Sequence, residues 1–443
     1  MMVYTVDSAH PVVAGNGRLI SRTSQIEPLD LLKLLLANPE MPRIFWRSPH
    51  RGVTYAGLGV AASITAEGDE RFELIQRQAQ SIFNEAQIED VDPSLEPRFF
   101  GGFAFLPGVS TGIWSQFGDA QFVLPKLMFA QFPDGETWLT ISAFENEVID
   151  FDQPAYRTGR HPRSRGQLVK RTLATDQMRW QAMVTEAIRQ IKSGELDKVV
   201  LARALDLQFS ASPEVVRALT RLEPNYQDCH LFLLQPVEQS SFFGATPELL
   251  LDKSYLELRS AALAGTRPRG QSPLADEVLA DDLFLSQKER QEHEFVVKAL
   301  QEYLEPYVTE VAAPAEPEIL RLKSIQHLYT PMQARLEQDT HILQLVRELH
   351  PTPALGGYPR SAAMKAIMGV EAEARGWYAS PVGWFDRYGD GTFAVAIRSA
   401  VAQNESVRLY AGAGIVAKSD WQAEWAETQL KFKPLAYGLG VEL

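Results

Sequence analysis

Two segments of the chain carry glutamate pairs at a spacing that places both carboxylates on one face of a helix. The first pair is Glu289 and Glu292, and the second is Glu424 and Glu427, which Lys431 follows on the same face. Residues three or four apart lie on the same side of an α-helix. Carboxylate oxygens are the ligands that hard divalent cations prefer. The spacing therefore indicates that two acidic helix faces could close on one cation.

The spacing alone is weak evidence for a metal site. Glu67, Glu70 and Glu73 show it as well, and so do Glu302 and Glu305. For any single pair the ordinary interpretation is a solvated helix face. The other residue types in the chain must therefore decide whether two of the pairs have a function.

Lys198 and Glu248 are candidates for proton transfer. Lys198 begins a predicted strand and shares one face with Val200 and Ala202, so a buried lysine there could act as a general base, although a lone strand lysine more often lies at a sheet edge. Glu248 lies between a proline and three leucines. Apolar surroundings raise a carboxyl pKa toward that of a general acid, whereas a turn glutamate would face solvent.

Arg398 and a nearby glycine pair are candidates for binding an anion. Ala394, Ala396 and Arg398 share one face of a predicted strand, which leaves room for a ligand and offers a guanidinium fork to a carboxylate. Gly412 and Gly414 follow a predicted strand, and their N–H groups could form an anion-binding nest. The alternatives are a sheet-edge arginine and a simple tight turn.

His327 and Tyr378 are polar residues in apolar surroundings. Either could contribute to a site. Taken singly, each is better interpreted as a core residue whose polar atoms are satisfied by neighbours.

The composition indicates a folded, soluble protein. The chain has 443 residues, of which 45% are apolar and 22% charged, and its formal net charge is −13. Basic residues form no long cluster, so we expect no nucleic-acid or membrane partner. Cys229 is the only cysteine, which excludes an internal disulfide. The first ten residues lack a basic region followed by an apolar one, so we expect a cytoplasmic location.

The pattern of elements predicts an α+β fold, with large antiparallel sheets and helices outside them. Strands are predicted over 43–48, 98–106, 120–132, 136–144, 198–209, 231–235, 240–251, 255–263, 382–386, 392–401 and 407–411. Helices are predicted over 31–37, 71–86 and 177–193, and within 273–305, 341–370 and 420–433. Residues 154–171 are polar, basic and poorly periodic, which predicts an exposed connector between residues 1–150 and a catalytic part over 175–434.

Seven motifs, in this order along the chain, resemble those of the chorismate-utilising enzymes, the family of anthranilate synthase component I. They are Lys198-Val-Val-Leu-Ala-Arg203, Phe243-Gly-Ala-Thr-Pro-Glu248, Ala264-Gly-Thr266, Lys288-Glu-Arg-Gln-Glu-His293, His350-Pro-Thr-Pro-Ala-Leu-Gly-Gly357, Tyr410-Ala-Gly-Ala-Gly-Ile415 and Glu424-Trp-Ala-Glu-Thr428. Together they are far more specific than any one of them.

The resemblance implies one large domain of two packed antiparallel sheets flanked by helices, completed by residues 1–150. It implies chorismate as the substrate and Mg²⁺ as the cofactor, with Glu292 and Glu427 as direct ligands and Glu289 and Glu424 acting through water. Lys198 becomes the catalytic base and Glu248 the acid. The substrate-binding residues implied are Gly265, Thr266, His327, Ala354, Leu355, Tyr378, Arg398, Gly414 and Lys431.

Within the family, the chain is most similar to the isochorismate synthases, which supply quinone, siderophore and salicylate pathways. Family members that use ammonia from a glutaminase subunit have glutamine where this chain has Lys198, so we expect no glutaminase partner. Ala264 stands where the aminodeoxychorismate synthases have a lysine nucleophile. The alternatives are a salicylate synthase, which also eliminates pyruvate, and, less favoured, a non-catalytic chorismate-binding protein or an amidotransferase subunit. Nothing requires more than a monomer.

Overall fold

The computed structural model describes residues 17–147, 150–151, 154–159 and 166–443. The first ten residues, on which the expected location rests, lie outside this range, as do 160–165 of the predicted connector. The described residues form nine α-helices and 23 strands. The helices are α1 Leu31–Ala37, α2 Arg71–Asn84, α3 Gln177–Lys192, α4 Val215–Leu222, α5 Pro273–Leu285, α6 Gln287–Leu304, α7 Ile342–Leu349, α8 Arg360–Val370 and α9 Trp421–Leu439.

The strands come from the whole length of the described chain. In the first part they are β1 Leu19–Ile26, β2 Arg43–Arg47, β3 Thr54–Leu58, β4 Ala62–Ala66, β5 Gln87–Ile88, β6 Phe99–Phe103, β7 Ala120–Leu124, β8 Leu127–Gln131 and β9 Thr137–Phe144. In the second part they are β10 Leu168–Leu173, β11 Lys198–Phe209, β12 His230–Val237, β13 Ser240–Thr246, β14 Leu249–Ser254, β15 Glu257–Pro268, β16 Val308–Ala312, β17 Glu318–Arg321, β18 Ile325–Leu336, β19 Gly357–Tyr358, β20 Pro381–Phe385, β21 Gly391–Val395, β22 Ser399–Gln403 and β23 Ser406–Ile415.

Two large, mostly antiparallel sheets contain these strands, which confirms the predicted α+β fold. Within the described residues, one sheet has 13 strands in the order β10-β11-β23-β22-β13-β12-β2-β3-β8-β9-β1-β5, with β19 paired to β11. The other has ten, in the order β16-β18-β15-β14-β21-β20-β6-β7-β4, with β17 paired to β18. Strands from the first 150 residues extend both sheets, because β2 pairs with β12 and β6 pairs with β20.

Three predicted strands are each two strands in the structure. Residues 120–132 divide into β7 and β8, 240–251 into β13 and β14, and 392–401 into β21 and β22. In each case the two parts belong to different sheets. The prediction of single strands was wrong because the parts on both sides are buried and rich in apolar residues, and the short breaks at Pro125, Pro247 and Arg398 were taken as part of one strand.

The predicted connector ends earlier than expected. Leu168–Leu173 form β10, which pairs with β11 at the edge of the larger sheet, although all six of its residues are exposed. Backbone hydrogen bonds hold this strand, and these are independent of a buried side-chain face. No helix in the described ranges has the length and apolar character to cross a membrane.

Gly376 shows how tightly the segment between α8 and β20 is packed. Its φ is +54°, and a Cβ atom placed on it would lie 2.1 Å from the Trp114 ring. Trp114 in turn donates a hydrogen bond from Nε1 to the Tyr410 hydroxyl at 2.8 Å. The glycine therefore allows this segment to lie against Trp114 in a conformation that other residues rarely adopt.

We predict that Gly376→Ala lowers the free energy of unfolding by about 2–4 kcal/mol, because it adds backbone strain and a clash with Trp114. Gly369→Ala is the matched control, since Gly369 lies in α8 with open space around its Cβ position. The control should change stability by less than about 1 kcal/mol. Urea unfolding measures both, and equal effects would contradict the packing described.

Candidate active site

The predicted site residues come together in one cleft with about 840 Å³ of empty space. All of them except Lys198 line this cleft. The lining residues that were predicted are Glu248, Gly265, Thr266, Glu289, Glu292, His327, Ala354, Leu355, Tyr378, Arg398, Gly414, Glu424, Glu427 and Lys431. Lys198 lies directly behind it and contacts the lining residue Glu292.

Glu248 and Arg398 reach the cleft because two neighbouring chain segments change sheets at the same place. Glu248 follows β13, and Arg398 precedes β22, the neighbour of β13 in the larger sheet. Hydrogen bonds join the two breaks, from Val395 N to Glu248 O at 2.9 Å and from Ala245 N to Arg398 O at 3.2 Å. Arg398 has a φ of +48°, so it does not continue the strand face that the sequence predicted. The paired breaks turn both side chains out of the sheets.

Burial controls the protonation of Glu248. Its side chain is almost fully excluded from solvent, and this raises the pKa of Glu248 to about 7, although the charges of Lys198, Lys431 and Arg398 oppose the rise. A carboxyl group in this condition holds a proton near neutral pH. Glu248 can therefore donate a proton to a leaving group, as a general acid must.

Lys198 forms a buried ion pair that the sequence did not predict. Its side chain is fully buried, and Nζ lies 2.8 Å from Glu292 Oε1. Burial raises the pKa of Glu292, but Lys198, with Lys288 and Lys431, lowers it further, so that the net shift is downward. The small or apolar neighbours that the sequence predicted for Lys198, Val200 and Ala202, are present on β11. The carboxylate of Glu292, which pairs with Lys198, comes from α6. Glu292 is thus ionised and is a partner of Lys198 as well as a candidate metal ligand.

Arg398 is a buried cation that faces the cleft. Its Nη2 donates to Nε2 of His327 at 2.6 Å, and His327 Nδ1 lies 2.9 Å from the Gly265 carbonyl oxygen. Burial lowers the pKa of His327 well below its ordinary value, so the ring is neutral and carries its proton on Nδ1. In the described part of the chain no carboxylate lies within ion-pair distance of Arg398. The guanidinium is therefore available to an anionic ligand.

The four predicted metal ligands lie on α6 and α9, at or near the helix starts. Ser286 caps α6 and accepts a hydrogen bond from Glu289 N, and Asp420 caps α9 in the same way. Each helix then presents two glutamates one turn apart to the cleft. The helix interpretation of both pairs is confirmed.

Each of these carboxylates is paired with a cationic side chain. Besides Lys198 with Glu292, the closest pairs are Lys431 with Glu427 at 2.6 Å, Lys288 with Glu424 at 3.2 Å and Arg267 with Glu289 at 3.0 Å. Among the described residues no three acidic or histidine side chains converge as a ready metal site. The donor chemistry nevertheless fits a hard cation, because the Lys288 ammonium lies between carboxylates of both helices, 3.2 Å from Glu424 and 3.9 Å from Glu289.

The glycines at 412 and 414 do not form the predicted nest. Both lie inside β23, and neither has a positive φ. Val200, which faces Gly414 in the register, donates its N–H to Gly356 on the opposite side of β11. The Gly414 amide therefore points away from β11, toward the edge of β23 that β22 does not cover. A Cβ at Gly414 would lie 2.4 Å from Glu292 Oε1, so the glycine makes room for that carboxylate.

Several lining residues were not predicted as site residues. Lys288, Arg375 and Tyr410 all line the cleft. The Tyr410 ring stacks on the Tyr378 ring at 5.0 Å. Lys288 precedes the predicted pair Glu289 and Glu292 directly, and a lysine beside two acids was the signal that could have found it.

Comparison with known proteins places these features in a family. A sequence model described as "Chorismate binding enzyme" matches residues 9–440. The chain is 33% identical to isochorismate synthase MenF of Bacillus subtilis, over 96% of this chain and 94% of that protein. It is 34% identical to the salicylate biosynthesis isochorismate synthase of Pseudomonas aeruginosa, over 95% of this chain and 90% of that protein.

A solved structure shares the fold. MenF, the menaquinone-specific isochorismate synthase from Escherichia coli, superposes with a TM-score of 0.80 at 24% sequence identity, over 98% of this chain and 96% of that one. The likeness extends over both sheets and therefore includes the strands contributed by the first 150 residues.

The raised pKa of Glu248 predicts a dependence of stability on pH. The folded-state pKa of about 7 exceeds the ordinary value of 4.5, so the stability linked to Glu248 is complete below pH 4.5 and is lost as the pH rises through 7. Glu248→Gln cannot ionise. The difference in free energy of unfolding between Glu248→Gln and wild type should therefore rise in favour of the variant by about 2–3 kcal/mol from pH 5 to pH 8.5.

Urea unfolding without divalent cations or substrate measures this difference at the two pH values. Glu302→Gln changes an exposed glutamate of α6 and serves as the control, with no such gain expected. A constant difference between Glu248→Gln and wild type would contradict the raised pKa.

Proposed function

The chain belongs to the chorismate binding enzyme family, and from this premise we propose that it is an isochorismate synthase, which converts chorismate reversibly to isochorismate. The observation that carries the proposal is the buried carboxyl group of Glu248, protonated near neutral pH, with Lys198 as the charge that acts most strongly on its pKa. An acid can give a proton to a departing hydroxyl group, and an amine can accept a proton from the water molecule that replaces it. The full-length relatives named as isochorismate synthases support the same reaction.

The cleft suits a substrate with two carboxylates. Arg398 offers a guanidinium with no carboxylate partner in the described ranges, held in place by His327. We assign the enolpyruvyl carboxylate of chorismate to Arg398, with the Gly414 amide, the Tyr378 hydroxyl and Lys431 beside it. Buried cations attract such a group strongly because the surroundings have a low dielectric constant. Thr266 and Leu355 line the same cleft and limit where the ring can lie.

We assign the proton transfers to Lys198 and Glu248. Nζ of Lys198 accepts a proton from a water molecule as its oxygen attacks C2 of the ring. The ring double bonds shift, and the bond from C4 to its hydroxyl group breaks. Glu248 gives its proton to that departing hydroxyl, which leaves as water. One water enters and one leaves, so the reaction is an isomerisation and requires no redox step.

A divalent cation is part of the proposal. Magnesium held by Glu292 and Glu427, with Glu289 and Glu424 nearby, would supply positive charge to the ring carboxylate and would compete with Lys198 for Glu292. The support is the donor set, four carboxylates from two helices around one cleft. Lys198 can act as a base only when its ion pair with Glu292 is given up.

The purified chain should form isochorismate when incubated alone with chorismate and Mg²⁺. Chromatography of the mixture separates isochorismate, salicylate with pyruvate, and unreacted chorismate. Addition of a chelator should stop the reaction. Salicylate with pyruvate as the main product would assign a salicylate synthase instead, and no reaction in the complete mixture would contradict both enzymatic functions.

We predict that Lys198→Ala and Glu248→Gln each lower kcat by about 10²- to 10⁴-fold. Chorismate binding should remain close to that of wild type, because neither group is assigned to a substrate carboxylate. Steady-state kinetics and calorimetric binding of chorismate give the two quantities. A variant with kcat near wild type would remove its residue from the mechanism.

A further inference from the structure

Strand β11 carries Lys198, and its outer edge is only partly covered by other strands. At its start, Lys198 and Val199 pair with β19, and from Leu205 onward the strand pairs with β10. Between these regions, Val200 and Ala202 direct their backbone groups away from β23. Val200 N donates to Gly356 O beside β19, but Val200 O and Ala202 N have no strand beside them. Their hydrogen bonds must come from elsewhere, since buried backbone groups without partners are costly.

A buried ion pair fills this gap. Glu371 Oε1 accepts a hydrogen bond from Ala202 N at 2.8 Å, and Arg375 Nη2 donates to Val200 O at 2.6 Å. The two side chains also bind each other through both carboxylate oxygens, at 2.6 and 2.9 Å, and both are nearly excluded from solvent. The pair thus replaces the missing strand at the point where β11 passes the cleft.

Arg375 also holds two parts of the cleft wall. Its Nη1 donates to Leu355 O at 2.9 Å, and its carbonyl oxygen accepts from Tyr378 N at 2.9 Å. The guanidinium lies 4.3 Å from the Phe105 ring centre, which fixes its plane. Although Arg375 lines the cleft, its Nε and both terminal nitrogens are engaged with the protein. Arg375 therefore acts through other residues and is not a substrate ligand.

We propose that Glu371 and Arg375 form a brace that positions the Lys198 strand relative to the Leu355 and Tyr378 walls of the cleft. The brace deepens the proposed isochorismate synthase function and rests on it. Displacement of a reacting group by about 1 Å can cost about 10²-fold in rate. The pair adds to the short β11–β19 pairing a second connection between β11 and the Leu355 segment, and it links both to the segment that leads to Tyr378.

The test uses Arg375→Lys and Glu371→Gln. Lysine keeps the positive charge but cannot reach Glu371, Val200 and Leu355 together. Glutamine keeps one acceptor oxygen but turns an amide toward Arg375 Nε. Arg189 and Glu186 provide the matched controls, because they form the same two-bond fork on the exposed face of α3. The controls are Arg189→Lys and Glu186→Gln.

We expect Arg375→Lys to lower kcat by about 10- to 100-fold and Glu371→Gln to lower it less. The chorismate KM should change by a smaller factor than kcat, because Arg398 and Lys431 make no hydrogen bond to Glu371 or Arg375, and Tyr378 is held only through the Arg375 main-chain carbonyl, which the substitutions keep. Amide hydrogen exchange of the peptide over 198–204 should become faster in both variants. Neither control should alter kcat or exchange. If Arg375→Lys does not fold, Glu371→Gln alone tests the brace. It should lower kcat and speed amide exchange over 198–204 in the same direction, with smaller effects.

The outcomes separate the two claims. A wild-type protein that makes no isochorismate contradicts the proposed function, whereas the exchange result remains informative about the brace. Unchanged exchange over 198–204 overturns the brace. So does a variant that is only less stable, with wild-type kcat per folded molecule.

Discussion

Removal of charged groups from water is the constraint on which this cleft depends. Lys198, Glu248, Arg398 and Glu424 are all nearly excluded from solvent. A charge in such a place needs a partner, or the group becomes neutral. Lys198 has Glu292, whereas Glu248 has no cation within ion-pair distance in the described ranges and is neutralised by a proton instead. Arg398 keeps its charge against a neutral histidine, and that uncompensated charge is what a carboxylate ligand would satisfy.

The sheets produce this arrangement through their paired crossings. Where β13 leads into β14 and β21 into β22, both segments leave one sheet for the other, and the residues between them cannot pack as strand residues do. Hydrogen bonds between the two breaks hold the backbones of Glu248 and Arg398 at the same end of the two neighbouring strands. Helices α6 and α9 then bring carboxylates to the same cleft. Glu248 and Arg398 meet because both crossings occur side by side, and the two helices add the oxygen donors.

Eight of the nine described helices lie in or overlap the ranges that the sequence predicted, and so do many strands, whereas helix α4 and strands such as β1 and β18 were not predicted. Helix α1 and strand β11 have the predicted bounds, because a capped leucine run and a long run of alternating apolar residues are strong local signals. The glutamate faces of α6 and α9 were also predicted, whereas equal spacing at Glu67, Glu70 and Glu73 gave no contact with the cleft. Spacing defines a helix face, but only tertiary packing decides what that face meets.

The failures have the same physical origin. The Lys198–Glu292 pair joins the start of β11 to α6, which lie far apart in the chain, and no local pattern encodes such a contact. The changes of sheet are short breaks at Pro125, Pro247 and Arg398 between buried strand segments, so periodicity alone did not locate them.

The protonation of Glu248 is the property that tests this account most directly. Infrared difference spectra between wild type and Glu248→Gln, recorded over a pH series without substrate or divalent cations, isolate the carboxyl stretch of this one residue. We expect a protonated carboxyl band that disappears with a midpoint near pH 7. A midpoint near the ordinary value of 4.5 would contradict the claim that burial keeps Glu248 ready to donate a proton.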